Sequence, residues 1–134
     1  MTTNRSITPG VVIPELPYRD VREAVEWLCR AFGFVERLRI GEHRAQLSFG
    51  VGSIVVARLD GESGPSVSVM VRVTDIDNHY EHARQFGVRV IHPPADYSYG
   101  ERQYTAEDPG GHRWTFSQTI ADIDRQTWGG ILFK

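Results

Sequence analysis

Cysteine is almost missing from this chain: Cys29 is the only one. No disulfide can form within the chain, and a single thiol suits a reducing compartment. Long apolar runs are missing too. No stretch approaches the ~18 residues that a membrane-spanning helix needs. The first ten residues lack the charged-then-apolar pattern of an export signal. Charge of one sign is also missing: the net charge is −2, the basic residues are almost all arginine, and they are scattered rather than clustered. That leaves no electrostatic footprint for nucleic acid. The expectation is a cytoplasmic protein with neither a membrane nor a nucleic-acid partner. The rest is ordinary. At 134 residues, 40% hydrophobic and 24% charged, the chain fits a single domain able to bury a sizeable core.

Against that plain background one pattern stands out, because the chain repeats itself. Tyr18-Arg19-Asp20-Val21 opens a helical stretch that closes on Phe32-Gly33-Phe34, and Val73-Thr74-Asp75-Ile76 opens another that closes on Phe86-Gly87-Val88. The two aspartates are 55 positions apart and the two glycines 54. Repetition at this period marks a duplicated supersecondary unit. Asp20 followed by Glu23 has the form of a capping box, so the first helix should start at Val21. Val21, Val25, Leu28 and Phe32 recur at helical spacing, with Ala24 and Ala31 widening the stripe. Gly33 supplies the left-handed cap.

Around these helices the strands alternate. Residues 11–18 read as an edge strand, since Pro14 and Pro17 each remove a ladder donor. Residues 35–40, 45–49 and 53–59 read as three further strands, the last two joined by Gly50-Val51-Gly52. The second unit predicts a strand over 66–73, a helix over 76–86 and a strand over 88–92. A long loop through Pro93 and Pro94 to Gly100 follows, then strands over 103–107 and 112–119. The order is βαβββ twice: a first module at 11–60, a linker-like seam at 61–65, a second module at 66–119 and a tail at 120–134 that ends on Trp128-Gly129-Gly130. The fold class is α+β with mostly antiparallel sheet.

The double βαβββ order, with Tyr18-Arg19-Asp20, Trp27-Leu28, Phe32-Gly33-Phe34, Tyr99-Gly100-Glu101-Arg102 and the run from Asp108-Pro109-Gly110-Gly111-His112 to Arg113-Trp114, resembles the vicinal oxygen chelate superfamily. That superfamily contains glyoxalases, bleomycin-resistance proteins and dioxygenases, and the bleomycin-resistance-like branch is the nearest. The resemblance implies two modules whose curved sheets form a cup around a small molecule, and commonly a homodimer.

Metal-dependent members of the family carry one ligand on the first strand and one on the last strand of each module. His and Glu suit such positions because imidazole nitrogen and carboxylate oxygen bind divalent first-row ions. Counting five residues before Tyr18 and Val73 and four after the turn glycines Gly52 and Gly111, the resemblance puts those positions at Ile13, Val56, Ser68 and Thr115. None carries a carboxylate or an imidazole. A register slip of one residue would flip a strand's face, but Val12, Val55, Val67, Val69, Trp114 and Phe116 supply no ligand either. The expectation is therefore a cup without a metal or other cofactor. Glu15 is the nearest carboxylate.

The resemblance, combined with alternation, implies the cup's lining: in the resembled fold the positions three and five before the turn Asp108, here Thr105 and Gln103, face the ligand. Gln103 and Thr105 share a face with Glu101, while Arg113, Thr115 and Ser117 share one that Trp114 and Phe116 do not. Ser68 and Met70 join them from the second module's first strand. Ile13, Glu15, Ile54, Val56 and Arg58 form the first module's wall. Tyr97 and Tyr99, on the proline-rich loop, are candidates for a flexible lid or for packing on a dimer partner. His79 and His82, three apart on the second helix, fall outside its stripe of Ile76, Tyr80, Ala83 and Phe86 and should face solvent. Cys29 reads as a semi-buried structural thiol, Trp114 as core, and His112 as a turn residue bonded locally.

Three functional readings follow. The leading one is a metal-free cup that sequesters a small molecule; cationic glycopeptides want an acidic groove, and a charge of −2 is only mildly acidic. The second is a metal-free lyase or isomerase, with Glu15 as general base and Arg113 holding an oxyanion. The third is a divalent-metal lyase or dioxygenase.

Overall fold

Two aspartates and two glycines set both helices. Asp20 accepts the backbone N–H of Glu23 at 3.0 Å and so caps α1 (Val21–Phe32). Asp75 does the same for Asn78 at 3.2 Å and caps α2 (Ile76–Phe86). Such a cap stabilises a helix by about 1 kcal/mol. Gly33 and Gly87 end the helices at φ of 90° and 95°, a region where a Cβ is strained. The computed structural model describes residues 4–6, 10–59, 61, 66–124, 127, 129–131 and 133. Trp128 and most of the expected seam at 61–65 lie outside them. No helix among the described residues is long and apolar enough to cross a membrane.

The chain divides into two compact units, Met1–Val67 and Ser68–Lys134, each a βαβββ module. The first holds β1 (Glu15–Tyr18), α1, β2 (Val35–Ile40), β3 (Arg44–Phe49) and β4 (Gly52–Arg58), in the sheet order β1-β4-β3-β2. The second holds β5 (Ser68–Arg72), α2, β6 (Arg89–Tyr97), β7 (Glu101–Glu107) and β8 (Arg113–Thr119), in the order β5-β8-β7-β6. In each sheet the strand before the helix pairs in parallel with the last strand, and the other pairs are antiparallel.

One face of each sheet carries that unit's core. In the first, Leu16, Ala45, Leu47 and Val56 are fully buried on the α1 side together with Val25 and Leu28 of the helix. In the second, Tyr104, Ala106, Trp114 and Phe116 are buried on the α2 side with Ile76 and Ala83. Burying each large side chain contributes about 1.5–3 kcal/mol. Trp114 also donates through Nε1 to Asp108 Oδ2 at 2.9 Å, so its one polar group is satisfied.

Several expectations need correcting. The edge strand expected over 11–18 is four residues long, because Val11 and Val12 point into solvent and only the Pro14 carbonyl reaches the sheet, at Val55 N. The loop expected through Pro93 and Pro94 is strand: β6 runs to Tyr97, with register shifts between Val90 and Ala95. Prolines are compatible with that place because β6 is an edge strand whose missing donors are not required. The third correction is His79, which faces the sheet. Its Nδ1 lies 2.6 Å from Tyr104 Oη and its ring 4.2 Å from that of Phe116. His79 is three positions after Ile76 and so shares its stripe, whereas His82 is exposed.

Candidate functional site

The side of the second sheet away from α2 is built by strand alternation into a polar grid. Across it run the rows Ser68–Arg113–Glu107–Arg89 and Met70–Thr115–Thr105–His92, then Arg72–Ser117–Gln103–Ala95. A last row joins Thr119, Glu101 and Tyr97. Ser68, Met70, Gln103, Thr105, Arg113 and Thr115, all expected at a binding site, therefore lie on one surface.

Part of that surface is a floor whose polar groups satisfy one another. Tyr99 Oη donates to Gln103 Oε1 at 2.9 Å, and Gln103 Nε2 donates to Ser117 Oγ at 3.0 Å. Ser117 Oγ donates to Glu101 Oε1 at 2.7 Å. The chain of donors runs one way and ends on a carboxylate, an order that lets each bond polarise the next. Burial pushes the Glu101 carboxyl up, but the Thr119 and Ser117 hydroxyls and the Arg72 guanidinium outweigh it and hold the group below the usual range. Burial, Tyr97 and Glu101 push the Tyr99 hydroxyl up, so it is a donor at neutral pH. Gln103 and Ser117 are almost fully buried within this floor.

The other half of the surface is open. Met70 is 66% exposed, Ser68 and Arg113 are exposed, and Thr105 and Thr115 are half-buried, with their hydroxyls 2.9 Å apart. Of the described arginines in this unit, Arg72, Arg84, Arg89 and Arg102 each pair with a carboxylate. Arg113 has no such partner among the described residues, because its cross-strand neighbour Glu107 is held by Arg89 at 2.9 Å. Tyr97 and Tyr99 are not on a loose loop. Tyr97 ends β6, the two rings stack at 5.5 Å, and Tyr99 is bonded to the floor.

The corresponding side of the first sheet differs. Here the parallel register sets Glu15 beside Val55 and Leu16 beside Val56. Val56 is thus a core residue on the α1 side and does not share a face with Glu15. Gly52 is itself a paired strand residue on the α1 side, whereas Gly111 lies in the loop ahead of β8. An equal count from each glycine therefore lands on opposite faces. Ile54 and Arg58, two residues to either side of Val56, share its face, and Arg58 stands exposed beside Tyr18. Ile13 precedes β1 and is half-buried near Gly10. Glu15 is 56% exposed and ion-paired with Arg44.

That face is also covered by the chain's own N-terminal residues. Gln46 Nε2 donates to the Ser6 carbonyl at 2.8 Å, and its Oε1 accepts from Arg37 Nη1 at 2.5 Å. Arg37 Nη2 donates to the Arg5 carbonyl at 2.8 Å. Gly10 lies so close to Ser53 that a Cβ there would stand 3.3 Å from the serine side chain. Gln46, Ser53 and Val55 are buried on this face.

The donor set does not fit a first-row divalent ion. Ile13 and Val56 carry hydrocarbon, as does Val55 on the corrected face, and Ser68 and Thr115 carry only neutral hydroxyls. Among the described residues no group of three or more His, Cys, Asp and Glu is placed to hold a metal. His112 is a buried turn residue whose N–H donates to Asp108 Oδ1 at 3.0 Å. Cys29 is half-buried, and burial first, then the Glu36 carboxylate, push its thiol up; a raised pKa is the opposite of what a nucleophile needs. Sequence reasoning put Glu101 and Ser117 on the same face as Gln103 but missed their role as the floor's anchor. The serine–glutamate–glutamine alternation was the available signal.

Residues 10–116 match the Glyoxalase/Bleomycin resistance protein/Dioxygenase superfamily. Among solved structures, the chain is similar to TioX from Micromonospora sp. ML1, at 34% identity and a TM-score of 0.73 over 81% of this chain and 97% of that one. It shares its fold with a glyoxalase/bleomycin resistance protein/dioxygenase from Nocardioides, at 21% identity and a TM-score of 0.71 over 93% and 90% of the two chains. It also shares it with a bleomycin resistance determinant encoded on the transposon Tn5, at 20% identity and a TM-score of 0.71 over 84% and 99%. Among curated proteins it is 26% identical over 128 residues to an uncharacterized protein of Mycobacterium tuberculosis, covering 83% of this chain and 75% of that protein.

Proposed function

The chain belongs to the Glyoxalase/Bleomycin resistance protein/Dioxygenase superfamily, and on that premise we propose that it binds a small organic molecule, without a metal, on the side of its second sheet away from α2. The observation that carries this reading is the split of that surface into a self-satisfied floor and an open half. Gln103, Ser117 and Glu101 bond one another, which leaves Ser68, Met70 and Arg113 facing solvent. A rigid polar floor beside an exposed apolar group and an unpaired cation is what small-molecule recognition requires. Sequestration needs no reacting group, and the surroundings of Glu15 and Cys29 favour none. The same reading has the protein act as a cytoplasmic homodimer, for which light scattering should give twice the chain mass.

A thermal-shift screen of metabolites and antibiotics tests the proposal. A ligand present at 100 times its Kd should stabilise the folded state by about 2.7 kcal/mol. Ser68→Trp and Met70→Arg change exposed side chains, so they should leave the fold intact while removing the shift. The reading fails if no compound stabilises the protein, or if both variants respond like the parent.

A further inference from the structure

Resting on that reading of the second sheet, we infer that the ligand is an acid: Arg113 seats a carboxylate, and Met70 takes the hydrocarbon next to it. The argument starts from charge. Every other described arginine of this unit has a carboxylate partner. Arg113 lies in the row Ser68–Arg113–Glu107–Arg89, which carries two guanidinium groups and one carboxylate. Arg89 already neutralises Glu107 at 2.9 Å. One positive charge is left over, and it sits on β8 in the open half of the surface.

The surroundings suit an oxyacid rather than a diffuse anion. A guanidinium presents a planar fork that matches two carboxylate oxygens. Ser68 stands directly beside Arg113 across the parallel β5–β8 pair and offers one hydroxyl donor. One row along, Met70 stands beside Thr115. Its 66% exposure leaves a flexible thioether free to cover an alkyl or aromatic group. Thr115 and Thr105, bonded at 2.9 Å, close the row towards β7. A head group at Arg113 and a body over Met70 span adjacent rows, a separation of about 7 Å at two residues of strand rise. A medium-chain or aryl-alkyl carboxylic acid has that length.

The test compares acids with their neutral amides: indoleacetate against indoleacetamide, and octanoate against octanamide, titrated at millimolar concentration into the full chain while backbone amide signals are followed by NMR. The expected result is that the acids move the signals of β5 and β8 at least about tenfold more tightly than the amides, as loss of one charge-assisted contact implies. Arg113→Gln should bring acid and amide level. Arg84→Gln, which removes a paired arginine on α2, should leave the acid's affinity unchanged. Rising salt should weaken the acid and not the amide. Equal binding of acid and amide at β5 and β8 overturns the inference while leaving the surface as a binding site. Absence of any movement with both acids also overturns it, and the thermal-shift screen then judges the surface independently. An acid preference that survives Arg113→Gln refutes the role given to Arg113.

Discussion

Replacing Asp108 with alanine should destabilise the protein by about 3–5 kcal/mol, and the figure follows from three hydrogen bonds. Asp108 Oδ1 accepts the backbone N–H groups of Gly110 at 2.9 Å and His112 at 3.0 Å, and Oδ2 accepts Trp114 Nε1 at 2.9 Å. His112 and Trp114 are completely enclosed, so two donors would lose their acceptor where water does not reach. Each unsatisfied buried donor costs about 1–3 kcal/mol. The Gly110 N–H lies in an exposed turn and regains water. Asp108→Asn separates the contributions: its oxygen still serves Gly110 and His112, while its amide opposes the Trp114 N–H, so about 1–3 kcal/mol should be lost. Urea unfolding followed by tryptophan fluorescence measures both, with an unchanged slope showing that the unfolded state is not altered. A loss below about 1 kcal/mol for Asp108→Ala, or equal losses for the two variants, would refute the reasoning.

Three other outcomes follow from the same structure. Glu101 has a folded pKa below its ordinary value, so it contributes stability that is present above the unfolded value and lost as pH falls through the folded one; the advantage of the wild type over Glu101→Gln should be full at neutral pH and shrink below about pH 4.3, and a pH-independent difference would contradict it. Gly100 has φ of 90° and faces the Ala121 carbonyl so closely that a Cβ would strike it; Gly100→Ala should cost about 2–4 kcal/mol by combining backbone strain with a steric clash, measurable by thermal unfolding, and a neutral effect would show that the tail does not pack there. Cys29, with its thiol pushed up by burial and Glu36, should react with a disulfide reagent at neutral pH far more slowly than a free thiol and accelerate in denaturant, whereas a rapid native reaction would contradict its placement.

Much of the fold is legible because the repeat carries its own punctuation. Asp20 and Asp75 as caps and Gly33 and Gly87 as stops act locally, so their effects can be read without any tertiary knowledge. What escaped the sequence was decided by partners distant in the chain. His79 looked exposed by polarity, yet Tyr104 Oη and the Phe116 ring make its inward position favourable. The prolines of β6 suggested a loop, but an edge position tolerates them. Val56 fell on the wrong face because the turn glycines it was counted from stand differently in the two hairpins. The covering of Gln46 by Arg5 and Ser6 spans some forty residues of chain, and no pattern in the sequence announces it. Alternation, taken together with the family resemblance, did assemble Ser68, Thr105, Arg113 and Thr115 on one surface.

The central claim is that this surface of the second sheet receives the ligand. Its most direct test is to titrate a compound found by thermal shift into isotope-labelled protein and map the backbone amide signals that move. The account predicts that they cluster on Ser68–Arg72, Glu101–Glu107 and Arg113–Thr119. Movement confined to β3 and β4 of the first unit, or to α2, would contradict it.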